Sequence, residues 1–92
     1  MSTNIKSGAH RILIAEDETL IRMDLVEMLS ESGYEVVGQA SNGQEAIDLA
    51  KELKPDLAIL DVKMPILDGI SAASQIIDIS PVLMLTAFSQ RD

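Results

Sequence analysis

Three points along the chain set an acid or a hydroxyl directly after a short apolar run: Glu16-Asp17 follow RILIA, Asp61 closes LAILD, and Thr86 follows VLML. An ionised carboxylate at the end of an apolar run has to be met by a cation or by hydrogen-bond donors, because leaving it unpartnered away from water is costly. Several carboxylates at one place also repel each other, which raises their pKa values or attracts a counter-ion. A hard divalent cation resolves this. Mg2+ takes carboxylate oxygens together with waters and a phosphate oxygen, and Mn2+ accepts the same donors, whereas Zn2+ would call for cysteine or histidine. The chain has no cysteine and one histidine, His10. A carboxylate beside such a cation can attack phosphorus and form an acyl phosphate. Thr86 would be placed to donate its hydroxyl to a phosphoryl oxygen. The competing reading, that these are ordinary helix N-cap acids and a strand-end hydroxyl, fits any one of them better than it fits all together.

The elements that must position these groups follow from periodicity. Ile12–Ala15, Leu57–Asp61 and Val82–Leu85 are short continuous apolar runs, as expected of strands covered on both faces. Glu35–Ala40 (EVVGQA) is a weaker strand, and Gly38 suits it to an edge. Between them lie helices. Leu20, Ile21, Leu25, Met28 and Leu29 form the apolar stripe of the first, which stops at Ser32-Gly33. Ala46, Ile47, Ala50 and Leu53 form the stripe of the second, opened by Asn42 with Glu45 as a capping pair and ended by Pro55. Ile70, Ala73, Ile76 and Ile77 mark a short third helix. Alternating strands and helices joined by right-handed crossovers predict an α/β fold, a doubly wound parallel sheet. In such a sheet ligands bind beyond the carboxyl ends of the strands. Glu16, Asp17, Asp61 and Thr86 all belong to that edge.

Composition narrows the partners. The 92 residues allow one domain, and 15 acids against 7 bases give a formal charge of −8. That balance argues against nucleic-acid binding by this segment and favours a cation or a basic partner. There is no signal-peptide h-region and no apolar run of the roughly 18 residues that a membrane span needs. The reading is a cytoplasmic protein with no membrane contact. Residues 1–10 are expected to form a flexible tail in which His10 is solvated, and residues 11–92 the domain.

On the residues Glu16-Asp17 in RILIAEDE, on LAILDVKMPILDG with Asp61, Lys63, Pro65, Asp68 and Gly69, and on Thr86-Ala87 in LMLTAF, the chain resembles the receiver domains of two-component response regulators. The resemblance spans residues 11–88. It implies a flavodoxin-like sheet of strand order 2-1-3-4. It implies that Asp61 is the phosphoacceptor, loaded by a sensor histidine kinase, a phosphotransfer protein or a small acyl phosphate, and that the domain is a switch, not a turnover enzyme. Glu16 and Asp17 match the acidic pair that holds Mg2+ with Asp61, and Lys63 the position that gives the metal a backbone carbonyl. Thr86 matches the switch hydroxyl, and Ala87 the small residue that leaves the acceptor open to a partner. The wording TAFSQRD with GYEVVGQASNGQEAIDLA further resembles receivers joined to an RNA-binding antitermination output, of the ANTAR type.

Two departures accompany the likeness. The family's fifth strand with its lysine and its last helix are absent from these residues, and the stretch from Gly69 to Pro81 is slightly short. The expectation is a C-terminally incomplete receiver, its fourth-strand face exposed and open to a homodimer or to segment exchange. Two other functions compete with this one. A Mg2+-dependent phosphohydrolase would place a second acid two residues after its nucleophile, where this chain has Lys63. A receiver-like module that binds partners without phosphorylation would not need the full set of acids.

Overall fold

A computed structural model describes residues 10–85. Four strands and three helices alternate: β1 (Arg11–Ala15), α1 (Thr19–Glu31), β2 (Glu35–Ala40), α2 (Gly43–Leu53), β3 (Leu57–Asp61), α3 (Gly69–Ile76) and β4 (Val82–Leu85). The strands form one parallel sheet in the order β2-β1-β3-β4, the doubly wound arrangement that the alternation predicts. β2 is an edge strand, as its composition suggests.

The alternation of side chains along each strand divides the core into two layers. Ile12, Ile14 and Ile59 face α1, where Leu25, Val26 and Leu29 pack on them. Leu13, Ala15, Ala58 and Leu60 face the other way, toward α2 and α3, and meet Ala46, Ile47, Ala50, Ala72 and Ile76. Gly38 belongs to this second layer: a Cβ there would stand 2.8 Å from Leu53 Cδ1 and 3.2 Å from Leu13 Cδ1, so its missing side chain lets α2 close on the sheet. Beside it the β1–β2 register slips, Ile12 facing Val36 and Leu13 facing Gly38.

The expected face of α1 is corrected, and α3 buries a different set of residues from those that mark it. In α1, Leu20, Ile21 and Met28 are exposed, and only Leu25 and Leu29 of the expected stripe turn toward the sheet; no residue of the helix is fully buried. Apolar residues run round most of this helix, so their spacing does not select a face; the sheet-facing row is Arg22, Leu25, Val26 and Leu29. In α3, Ile70 and Ile77 are exposed and Gly69, Ala72 and Ile76 are buried, since the close approach of α3 to the sheet favours small residues.

Local signals act as read at the helix ends. Gly33, at φ +95°, follows α1 in the left-handed region, and Tyr34 N donates to Leu29 O. Asn42 caps α2 by accepting from Glu45 N at 2.8 Å, and Glu45 reaches back to Ser41, accepting from its N–H at 2.8 Å and its hydroxyl at 3.0 Å. Those donors hold the Glu45 carboxyl below the usual carboxylate range. At the far end of α2, Arg11 Nη1 donates to Leu53 O at 2.8 Å and Lys54 O at 3.2 Å, a cation satisfying carbonyls the helix leaves open.

Candidate functional site

The parallel register decides which acids meet. Ala15 pairs with Leu60 across β1 and β3, so one step further along both strands sets Glu16 beside Asp61. Glu16 N donates to Ala40 O at 3.0 Å, which ties the end of β1 to the end of β2. Asp17 follows in the three-residue loop before α1. Each of Glu16, Asp17 and Asp61 offers a carboxylate oxygen within 4.8 Å of the other two. Glu16 is only 5% exposed, Asp61 is partly buried and Asp17 is open to solvent.

The electrostatics follow from that crowding. Burial pushes the Asp61 carboxyl above its ordinary range and the Asp17 charge adds to the rise, while the backbone N–H groups of Lys63 and Val62 oppose it. Burial likewise raises Glu16, with the Asp61 charge adding to it, against the hydrogen bond that Glu18 N donates to Glu16 Oε2 at 3.1 Å. These acids do not act as helix caps through their own termini. Glu18, at the N-cap position of α1, makes no side-chain cap, whereas Asp68 does cap α3, accepting from Ser71 N at 2.8 Å, and that bond holds its carboxyl low.

The loop from Asp61 to Gly69 is fixed by backbone contacts. Gly69 N donates to Val62 O at 2.9 Å, and a Cβ on Gly69 would fall onto the carbonyl of Asp61. Gly43 N donates to Leu67 O at 2.9 Å, and a Cβ on Gly43 would strike that same Leu67 carbonyl. Between these anchors Leu67 N donates to Pro65 O at 2.7 Å around Ile66, which sits at φ +69°, a tight γ-turn in a conformation disfavoured for a β-branched residue. Lys63 is exposed and, with Met64, Pro65, Ile70 and Asp17, lines an open hollow of about 670 Å3 next to the acids. Met64 also packs against the larger core layer.

Of the residues singled out in the sequence, Glu16, Asp17 and Asp61 come together, and Lys63 stands two residues past Asp61 with its N–H toward that carboxylate. Thr86 and Ala87 lie outside the described residues. His10 precedes β1 at the opposite end of the strand from Glu16, exposed, with its ring centroid 6.2 Å from that of Tyr34. One residue beside the site escaped the reading of the sequence. Arg22 Nη1 donates to Glu16 O at 2.6 Å and its Nε to Gln39 Oε1 at 3.2 Å. Its signal was present: it stands three, four and seven residues before Leu25, Val26 and Leu29, on the row that faces the sheet.

Comparison with known proteins agrees with this geometry. Residues 12–92 match the family described as the response regulator receiver domain. The chain is 67% identical over 84 residues to the transcriptional regulatory protein PdtaR of Mycobacterium tuberculosis, covering 89% of this chain but 41% of that protein's length. It is 40% identical over 84 residues to the chemotaxis protein CheY of Thermotoga maritima, covering 88% of this chain and 70% of CheY. Among solved structures, the CheX-CheY-BeF3-Mg2+ complex from Borrelia burgdorferi superimposes with a TM-score of 0.85 at 26% identity, over 96% of this chain and 70% of that one. No helix among the described residues is long and apolar enough to cross a membrane. The sheet order, the acid cluster at its carboxyl edge and these matches together make the chain a member of the response regulator receiver domain family.

Proposed function

We propose that this receiver takes a phosphoryl group on Asp61 from a histidine kinase or phosphotransfer protein and thereby controls an output. The observation that carries the reading is the convergence of three carboxylates from two strands within 4.8 Å, with Asp61 as the one that ends the central strand β3. Phosphoryl transfer requires Asp61 as the ionised carboxylate. One oxygen forms the O–P bond as the P–N bond of phosphohistidine, or the P–O bond of a small acyl phosphate, breaks and its electron pair leaves with the donor. The N–H groups of Lys63 and Val62 favour that ionised form.

The donor set fits Mg2+, or Mn2+ in its place: hard carboxylate oxygens with room for water, and among the described residues no thiol or imidazole in the cluster. Glu16, Asp17 and Asp61 would hold the ion, with the backbone carbonyl of Lys63 as a further ligand. When bound, it supplies positive charge that offsets the carboxylates and the transferring group. The relative from Borrelia burgdorferi was solved with BeF3 and Mg2+, which supports the same assignment here. Thr86 is the hydroxyl that responds to the phosphoryl group, and Ala87 leaves the acceptor accessible. The added charge and acceptor oxygens then bias the segment after β4.

The name of PdtaR supports a transcriptional output, and the likeness in TAFSQRD supports antitermination through RNA by a separate domain, in the cytoplasm. Acetyl phosphate with Mg2+ tests the reading in the full-length protein. Intact-mass spectrometry is expected to show one phosphoryl group on the wild type and none on Asp61→Asn. No gain in the wild type, or an equal gain in the variant, refutes it.

A further inference from the structure

We propose that Arg22 is a positioning residue that sets the geometry of the metal-binding acids by holding the Glu16–Asp17 peptide. The inference rests on the Mg2+ site proposed above.

The loop between β1 and α1 is only Glu16, Asp17 and Glu18, and it carries two of the three clustered acids. Both backbone groups of Glu16 are fixed. Its N–H is held by Ala40 O at the end of β2, and its carbonyl accepts from Arg22 Nη1 at 2.6 Å. Among the described residues no other group donates to that carbonyl. The carbonyl of Glu16 and the N–H of Asp17 belong to one planar peptide, so the guanidinium orients the plane from which Asp17 departs. Asp17 itself is exposed to solvent.

Arg22 is braced in its turn. Its Nε donates to Gln39 Oε1 on β2, its backbone is in the first turns of α1, and it shares the sheet-facing row with Leu25, Val26 and Leu29. The planar guanidinium thus joins the acid loop, the first helix and the edge strand, a span that its fork of donors suits. Both acceptors are neutral amide oxygens, not the clustered carboxylates. The residue therefore acts as a brace and not as the counter-ion of the cluster.

This gives a test with opposite signs for the two roles. As a nearby positive charge, Arg22 would repel Mg2+, and its removal would tighten binding. As a brace, its removal loosens the ligand set and weakens binding. Arg22→Met keeps the stem and removes the donors. Measured by calorimetry with MgCl2 in the full-length protein, it is expected to weaken Mg2+ about 3- to 10-fold, the range one lost hydrogen bond corresponds to. Arg22→Lys, which keeps one donor, is expected to recover part of that loss. Phosphorylation by acetyl phosphate is expected to be slow in Arg22→Met at limiting Mg2+ and to recover at saturating Mg2+. A merely structural role lowers the melting temperature in EDTA and leaves the Mg2+ affinity alone. Unchanged or tighter Mg2+ binding by Arg22→Met, with binding intact in the wild type, overturns this inference only. Failure of the wild type to bind Mg2+ overturns the metal site and this inference with it. If Arg22→Met does not fold, Gln39→Ala removes the outer support, and it too must weaken Mg2+, by about twofold, for the brace to stand.

Discussion

Removing one charge from the acid cluster should raise stability without metal and lower it relative to wild type with metal. Asp17→Asn is the cleanest perturbation, because the side chain is exposed and the change costs no packing. Its oxygen lies within 4.8 Å of those of Glu16 and Asp61. At that distance each pair of charges repels by about 0.9 kcal/mol in bulk water and about 1.7 kcal/mol at an effective dielectric near 40. Two pairs make roughly 1.8–3.4 kcal/mol, and solvent exposure with salt screening at a Debye length of about 8 Å brings this to about 1 kcal/mol. For a domain of this size that corresponds to a rise of about 5 °C in melting temperature in EDTA. Losing one of three carboxylate ligands should weaken Mg2+ about tenfold, or about 1.4 kcal/mol. At Mg2+ well above both Kd values, the wild type then gains about 1.4 kcal/mol more than the variant, enough to reverse the order. Thermal melts of both proteins with EDTA and with a Mg2+ series read this directly. A variant that melts at or below wild type in EDTA, or that gains as much from Mg2+, would refute the reasoning.

Three further outcomes follow from other features. Burial raises both Asp61 and Glu16, so the folded, metal-free protein binds more protons than the unfolded chain between their ordinary and raised values, and this contribution to stability is lost as pH rises through the raised values. The stability gap between Asp61→Asn and wild type in EDTA should therefore widen as pH rises above the ordinary carboxylate range, as read by urea titration; a gap that narrows contradicts the assignment. Gly69→Ala places a methyl group on the carbonyl of Asp61, and the forced shift should cost about 2–3 kcal/mol in urea melts and slow phosphorylation; a neutral result would mean the loop is not fixed there. Ile66→Asn should stabilise by about 1 kcal/mol in the same assay, because asparagine tolerates the positive φ that strains a β-branched residue, and no gain would mean the turn is relaxed.

The sheet was legible because strand ends carry strong marks. Apolar runs closed by Glu16-Asp17 and by Asp61 located both the strands and the edge where the acids meet, and Asn42 with Glu45 marked where α2 begins. Helix faces were less legible, for two reasons. In α1 the apolar residues surround most of the axis, so composition could not show that Leu20 is 78% exposed while the polar Arg22 turns inward. In α3 the contact is made by Gly69 and Ala72, whose small size and not their hydrophobicity suits the close approach. The roles of Gly43 and Gly69 were hidden too, since what each glycine admits is a carbonyl from a distant segment, and periodicity carries no trace of it.

Those two glycines bear on how such domains can be recombined. The segment that presents Asp61 rests at one end on its own strand, through Gly69, and at the other on α2, through Gly43 and the Leu67 carbonyl. Residues 62–69 are therefore not a portable cassette. A chimera that imports this loop from a relative must import a compatible helix start with it. One that keeps a larger side chain at position 43 would lift the loop, and with it the carboxylate, off its seat while leaving every residue of the loop itself unchanged.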